Sequence, residues 1–162
     1  MTDMIFISHR GNIERRDPER ENTWAYIMAA IEKGYDVEVD LWARRRAMGG
    51  IQFGLGHDAP MEEVHPSFLL NRGLWIHCKN AEAMFALHQM RRDVPHLNYF
   101  FHDKDDITYT SQGFMWTFPG KTLTPASIAV MPEDFDGNWK DIKKCAGICS
   151  DWIAEYRRKY EE

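Results

Sequence analysis

Cysteine, basic charge, linker composition and long apolar runs are all scarce in this chain, and each shortage excludes something. Its 162 residues hold three cysteines, Cys78, Cys145 and Cys149. An odd number cannot close a full disulfide set, and Cys145 and Cys149, spaced C-x-x-x-C, lack the second pair that a structural zinc site needs. The segment MTDMIFISHRGN has an apolar run too short for a secretory h-region, with no basic residue ahead of it. Reduced thiols and a cytoplasmic location are therefore expected. No stretch approaches the ~20 apolar residues that cross a bilayer, so membrane insertion is not expected. With 20 Lys and Arg against 25 Asp and Glu, the net charge is −5. That balance argues against a nucleic-acid partner or an anionic membrane surface, because both need a basic face. A phosphate site would have to be built from a few aimed groups. The chain also lacks repeats, low-complexity tracts and Pro-, Gly- or Ser-rich linkers, so one domain is expected over 1–162.

What is present is an alternation of short apolar runs and amphipathic segments. Met4 to Ser8 reads as a buried strand running into His9-Arg10-Gly11. Asn22-Thr23 is a helix-start signal, after which Trp24, Ile27, Met28 and Ile31 recur at helical spacing until Gly34. Tyr35 to Trp42 alternates strictly, with Val37, Val39 and Leu41 on one face and Asp36, Glu38 and Asp40 on the other. Further strands are expected at Ile51 to Leu55, Leu74 to Cys78, Leu97 to Phe101, Ser127 to Val130 and Ala146 to Cys149. The stretches Ile107 to Thr110 and Phe114 to Phe118 are β-rich. Helices are expected after Asn80, over Trp139 to Lys144, and at the C-terminal end around Trp152, Ile153, Tyr156 and Tyr160. About eight strands with helices between only some of them predict an α/β fold, a compact (β/α)8 TIM-type barrel with several crossover helices missing.

Polar residues gather where these strands end, which is where such a barrel assembles its active site. A histidine after a strand is more often structural than catalytic, but His9 is followed by Arg10, whose planar fork of donors suits phosphate oxygens. Glu38 and Asp40 share one strand face, and two adjacent carboxylates repel unless a cation lies between them. His77 and Lys79 share a face in the same way, and Lys79 could offset charge developing on a phosphoryl group. His57 and His102 also follow strands. Trp116 lies in an aromatic stretch whose plainer reading is core packing, with contact to a polyol or sugar as the functional one.

The ordered series His9-Arg10-Gly11, Glu21-Asn22-Thr23, Glu38-Val39-Asp40 and Gly56-His57-Asp58 is similar to the hallmark order of glycerophosphodiester phosphodiesterases, in the phospholipase-C-like phosphodiesterase superfamily. Lys79 resembles the family lysine, and Gly147 to Asp151 resembles its closing strand. The resemblance is dense over 5–80 and reduces to strand rhythm over 81–145. It implies a barrel that cleaves a small soluble phosphodiester with a divalent ion. His9 and His57 would be the acid–base pair, Glu38 and Asp40 metal ligands, Arg10 and Lys79 phosphate-binding groups, and His102 and Trp116 substrate contacts.

Two departures stand out. Family members place a metal-binding glutamate two positions before the lysine, where this chain has His77. The resemblance implies Mg or Ca, whereas an imidazole at that position admits Mn or Zn. The chain is also shorter than the ~250 residues of an ordinary barrel. Bare flanks on a stripped barrel lead to the expectation of a homodimer. Two other functions fit the same residues: a degenerate protein that binds phosphate esters or sugar phosphates without turnover, and a phospholipase-like lyase that stops at a cyclic phosphate.

Overall fold

Short apolar runs ending in Gly or polar residues become the strands of a computed structural model that describes residues 4–161. The expected domain over 1–162 is thus described without its first three residues and Glu162. Seven strands lie parallel, in the spatial order β6 (Asn98–Phe101), β5 (Leu74–Cys78), β2 (Asp36–Arg45), β1 (Ile5–His9), β10 (Gly147–Ser150), β9 (Ser127–Val130) and β8 (Met115–Thr117). Three further strands run antiparallel to their neighbours: β3 (Ile51–Leu55) on the second half of β2, β4 (Glu62–Val64) on β3, and β7 (Ile107–Tyr109) on β8.

The expected TIM-type barrel is overturned. Among the described residues the sheet is mixed, has ten strands and does not close, and three α-helices accompany it. The physical reason lies in the connections. A parallel return needs a dozen or more residues. Residues 46–50 between β2 and β3, and 110–114 between β7 and β8, suffice only for hairpins. Strand rhythm counts such segments as members of the sheet without giving their direction. The edges approach each other, with the Ser111 N–H donating to Tyr99 O at 2.8 Å and the Thr108 hydroxyl to Phe101 O at 3.1 Å. No strand ladder joins them among the described residues.

Helix α1 (Trp24–Glu32) starts where the Thr23 hydroxyl accepts from Tyr26 N–H, as an N-cap should, and ends before Gly34 in the left-handed region. Helix α2 (Ala81–Met90) is capped by Asn80, whose amide also exchanges hydrogen bonds with the Ala43 backbone and so ties the helix to β2. Helix α3 (Ile153–Glu161) packs on β1 and β10. The helix expected over Trp139 to Lys144 is reduced to a 3-10 turn at Ile142–Lys144. There the buried Trp139 donates its indole N–H to Lys121 O at 2.6 Å, and Asp141 sits at φ 67°. No described helix is long and apolar enough to cross a membrane.

Alternation along the strands divides the core. Val37, Val39, Leu41 and Ile76 face out against Ile27, Ala83 and Leu87 of the helices. Phe6, Ala129 and Ile148 face out against Ile153, Leu123 and Trp139. The loop carrying Leu123 and Trp139 therefore covers the flank over β9, while Phe85 and Phe101 stay 53% and 47% exposed near β6. The opposite faces turn inward. Ile7, Trp75, Phe100, Trp116, Ile128 and Cys149 form an inner apolar floor, where Trp75 touches Phe114 and Trp116 with ring centroids 5.0 and 5.9 Å apart. Each such side chain contributes roughly 1.5–3 kcal/mol by leaving water. The floor ends one step short of the strand C-termini, and the next inward residues are His9, Glu38, Asp40, His77 and His102.

Candidate active site at the strand ends

His9 closes β1, and the chain then turns sharply. Arg10 and Gly11 lie consecutively in the left-handed region, at φ 55° and 94°. A left-handed L-residue costs roughly 1–2 kcal/mol. Three backbone bonds hold the turn: Arg10 N–H to Glu38 O, Asn12 N–H to His9 O and Asn22 N–H to Arg10 O. A Cβ on Gly11 would lie 2.7 Å from the Tyr26 ring, so the third residue of His9-Arg10-Gly11 is set by close packing. His9 donates from Nδ1 to Asp151 Oδ1 at 2.7 Å, and its Nε2 lies 3.8 Å from Glu38 Oε2. Burial works against the charged ring, but the Asp151 hydrogen bond and Glu38 outweigh it and raise the His9 pKa.

Glu38 and Asp40 come off the inward face of β2 with 3% and 0% exposure. Asp40 Oδ2 is held by the Asn22 amide at 2.9 Å and by Arg10 Nε at 2.9 Å, while Asn22 Oδ1 accepts from the Asp40 N–H. Asp40 Oδ1, Glu38 Oε2 and Arg10 Nε are buried and have no hydrogen-bond partner among the described residues. Burial alone would raise the Asp40 carboxyl; the His77 ring beside it and the Arg10 and Lys79 cations reverse that, and it sits below the usual range. Glu38 moves upward, through burial and then through the charge of Asp40. The pair is thus split by its surroundings, with Asp40 the firmly ionised member.

From β5, His77 Nδ1 comes within 3.1 Å of Asp40 Oδ1 and 3.8 Å of Glu38 Oε1, and Lys79 Nζ within 3.5 Å of Asp40 Oδ1. One donor atom from each of Glu38, Asp40 and His77 falls within a 4.8 Å span. Two ligands about 2.1 Å from one ion stand ~3.0–3.4 Å apart at octahedral to tetrahedral angles. The 3.1 Å between His77 Nδ1 and Asp40 Oδ1 falls in that window and the 3.8 Å to Glu38 Oε1 outside it, while the mixed oxygen and nitrogen donors and the two orphaned buried oxygens are of the kind a divalent cation takes. Arg10 sets Nε 2.9 Å from Asp40 Oδ2 as an ion pair and donates from Nη1 to Glu21 at 3.3 Å, so Nη2 is the nitrogen left for a phosphate oxygen.

His57 reaches the site by a different route from the one expected. Antiparallel β3 brings it back beside the middle of β2, with Leu55 opposite Leu41. Gly56 at φ 150° makes the bend; a Cβ there would lie 2.0 Å from Ala59 O, and the Trp42 indole N–H holds Gly56 O at 2.7 Å. The His57 side chain is 48% exposed and donates from Nδ1 to Asp58 Oδ1 at 2.8 Å. A pocket of about 400 Å³ is lined by His9, Arg10, Glu38, His57, His77, Lys79, His102 and Trp116, with Asp103, Phe118, Met131 and Asp134 completing the wall. Asp40 lies beneath it. Trp116 belongs to the floor, packed on Phe100 at 4.7 Å and on Trp75. His102 is held toward its neutral form by burial and by His77, and neither ring nitrogen has a hydrogen-bond partner among the described residues.

The structure thus brings every expected site residue to one mouth. It also adds residues that the sequence reading left without roles. Asp151 orients His9, Asn12 bridges Asp151 and Glu21 with bonds of 2.8 and 2.9 Å, Glu21 holds Arg10, and Asn22 clamps Asp40. The signal for them was position: Glu21-Asn22 and Asp151, the residue after β10, lie within the quoted motifs. No family model, no curated protein and no solved structure matches the chain.

Proposed function

We propose that the protein is a metal-dependent phosphodiesterase of the glycerophosphodiester phosphodiesterase type, acting on a small soluble diester. One observation carries the reading. His9 Nε2 faces a Glu38/Asp40/His77 cluster inside a 400 Å³ pocket that also holds the Arg10 and Lys79 cations. A floor or a solvated strand end requires none of this, whereas phosphoryl chemistry has a use for each group. The order of the four sequence motifs supports the same conclusion.

The roles are those the family resemblance implies, and the geometry is compatible with them. A divalent ion held by Glu38, Asp40 and His77 would supply positive charge to a phosphoryl oxygen and acidify a neighbouring hydroxyl. His9, with its Nδ1 proton fixed on Asp151, presents Nε2 as the base for that hydroxyl. His57 enters from the exposed lip of the pocket with its Nδ1 on Asp58, and as the doubly protonated ring it would give its Nε2 proton to the departing alkoxide and end as the neutral imidazole. Arg10 Nη2 and Lys79 offset charge on the equatorial oxygens. His102 and the rim of Trp116 border the alcohol. The pocket volume suits a small polar ester rather than a lipid with its chains.

Phosphorus NMR of a glycerophosphodiester incubated with the protein tests the reading. Conversion to a phosphomonoester is expected. Accumulation of a cyclic phosphate would instead identify the lyase. An unchanged diester that still binds would leave the non-catalytic phosphate-ester protein as the account.

A further inference from the structure

We propose that His77 ligates the cation through Nδ1, and that the site therefore selects a borderline transition ion such as zinc, cobalt or manganese over magnesium or calcium. The inference rests on the metal-dependent reading above and deepens it.

The tautomer is fixed by His77's far nitrogen. His77 Nε2 lies 3.0 Å from the backbone oxygen of His102. A carbonyl only accepts, so Nε2 carries the proton and the neutral ring keeps its lone pair on Nδ1. The ring plane is fixed as well, stacked on Phe100 at 5.2 Å and 7°. Nδ1 then faces the two carboxylates. Its 3.1 Å separation from Asp40 Oδ1 is short, yet Asp40 Oδ1 makes no directed hydrogen bond, and neither does the buried Glu38 Oε2. Nδ1 of the neutral ring and one oxygen of each carboxylate fall within a 4.8 Å span, and a cation would take the place of a proton shared between Nδ1 and Asp40 Oδ1. Asp40's other oxygen is occupied by Asn22 and Arg10, so the carboxylate cannot rotate away. A backbone carbonyl on the second nitrogen is also how ligating histidines are commonly oriented.

The competing arrangement is a doubly protonated His77 acting as a plain salt bridge. That arrangement leaves the buried Glu38 Oε2 without a partner, which a cation shared by both carboxylates would supply. The donor set decides the ion. Hard oxygens alone suit magnesium and calcium, whereas an imidazole in the set favours the later divalent ions of the first transition row.

Calorimetric titration of the metal-free protein with zinc, cobalt, manganese, magnesium and calcium tests this directly, run on the wild type, His77→Glu and His77→Ala. The wild type is expected to bind zinc and cobalt about 100-fold more tightly than magnesium, following the affinity order of mixed nitrogen and oxygen sites. In His77→Glu that gap narrows at least ~10-fold, and in His77→Ala zinc affinity falls by a similar factor. Should the variants misfold, nitrogen-15 spectra of histidine-labelled wild type give the same answer: zinc shifts His77 Nδ1 while Nε2 keeps its proton. Equal affinities and ion order in all three proteins, or an unmoved Nδ1, would overturn the proposal while leaving a metal-dependent enzyme intact. Failure of every ion to bind the wild type would remove both.

Discussion

His9→Gln is expected to fold like the wild type and to turn over its diester ~10²–10⁴-fold more slowly, the usual range for loss of a positioned acid–base group. The size of the effect follows from how the ring is held. Asp151 fixes Nδ1 at 2.7 Å, and Asn12 fixes Asp151 at 2.8 Å, so Nε2 is aimed into the pocket before any substrate arrives. Glutamine occupies similar space and can still reach Asp151, but it has no nitrogen that gains and loses a proton near neutrality. The fall should therefore appear in kcat, with KM little changed, because substrate contacts remain. Steady-state kinetics on protein with a matched circular dichroism spectrum provides the check. A kcat within about threefold of the wild type would remove His9 from the chemistry.

Asp40→Ala is expected to cost stability as well as ion binding. The carboxylate is fully buried and neutralises Arg10 at 2.9 Å and Lys79 at 3.5 Å. Removing it leaves a guanidinium largely out of water without its main partner and frees the Asn22 amide. Breaking a buried pair on one side costs ~3–5 kcal/mol. For a chain of this length each kcal/mol lowers Tm by about 2–4 °C, so a fall on the order of 10 °C is expected. Added divalent ion should raise the wild-type Tm and leave the variant unmoved, since a ligand stabilises only the state that binds it. Differential scanning calorimetry with and without ion reads both effects. A variant melting within about 2 °C of the wild type would show that Asp40 does not hold Arg10 and Lys79 together.

Much of the site was legible because period two is a statement about faces. Val37, Val39 and Leu41 against Asp36, Glu38 and Asp40 placed two carboxylates on one side of β2, and the pair His77 and Lys79 did the same for β5. The parallel strands were legible as apolar runs, and Ser127 to Val130 matches β9 residue for residue. Direction was not legible. A strand reads alike in both senses, so β3 was counted with the parallel set although its short connection makes it return. That reversal, together with the hairpin of β7 and β8, is why an open mixed sheet stands where a barrel was expected. The short β4 carries Glu62 and Glu63, with no apolar run to announce it. The supporting network of Asn12, Glu21, Asn22 and Asp151 comes from loops and strand ends far apart in sequence. Only the fold shows that Asn12 lies between Glu21 and Asp151.

The most direct measurement of the central claim is diester hydrolysis by protein stripped with EDTA and then given back single ions. Bis(p-nitrophenyl) phosphate and a glycerophosphodiester serve as substrates, with the ions Mg, Ca, Mn, Co and Zn. The account predicts no turnover in the stripped protein and recovery with at least one ion. Turnover that persists undiminished in EDTA, or none with any ion despite measurable binding of the ester, would contradict it.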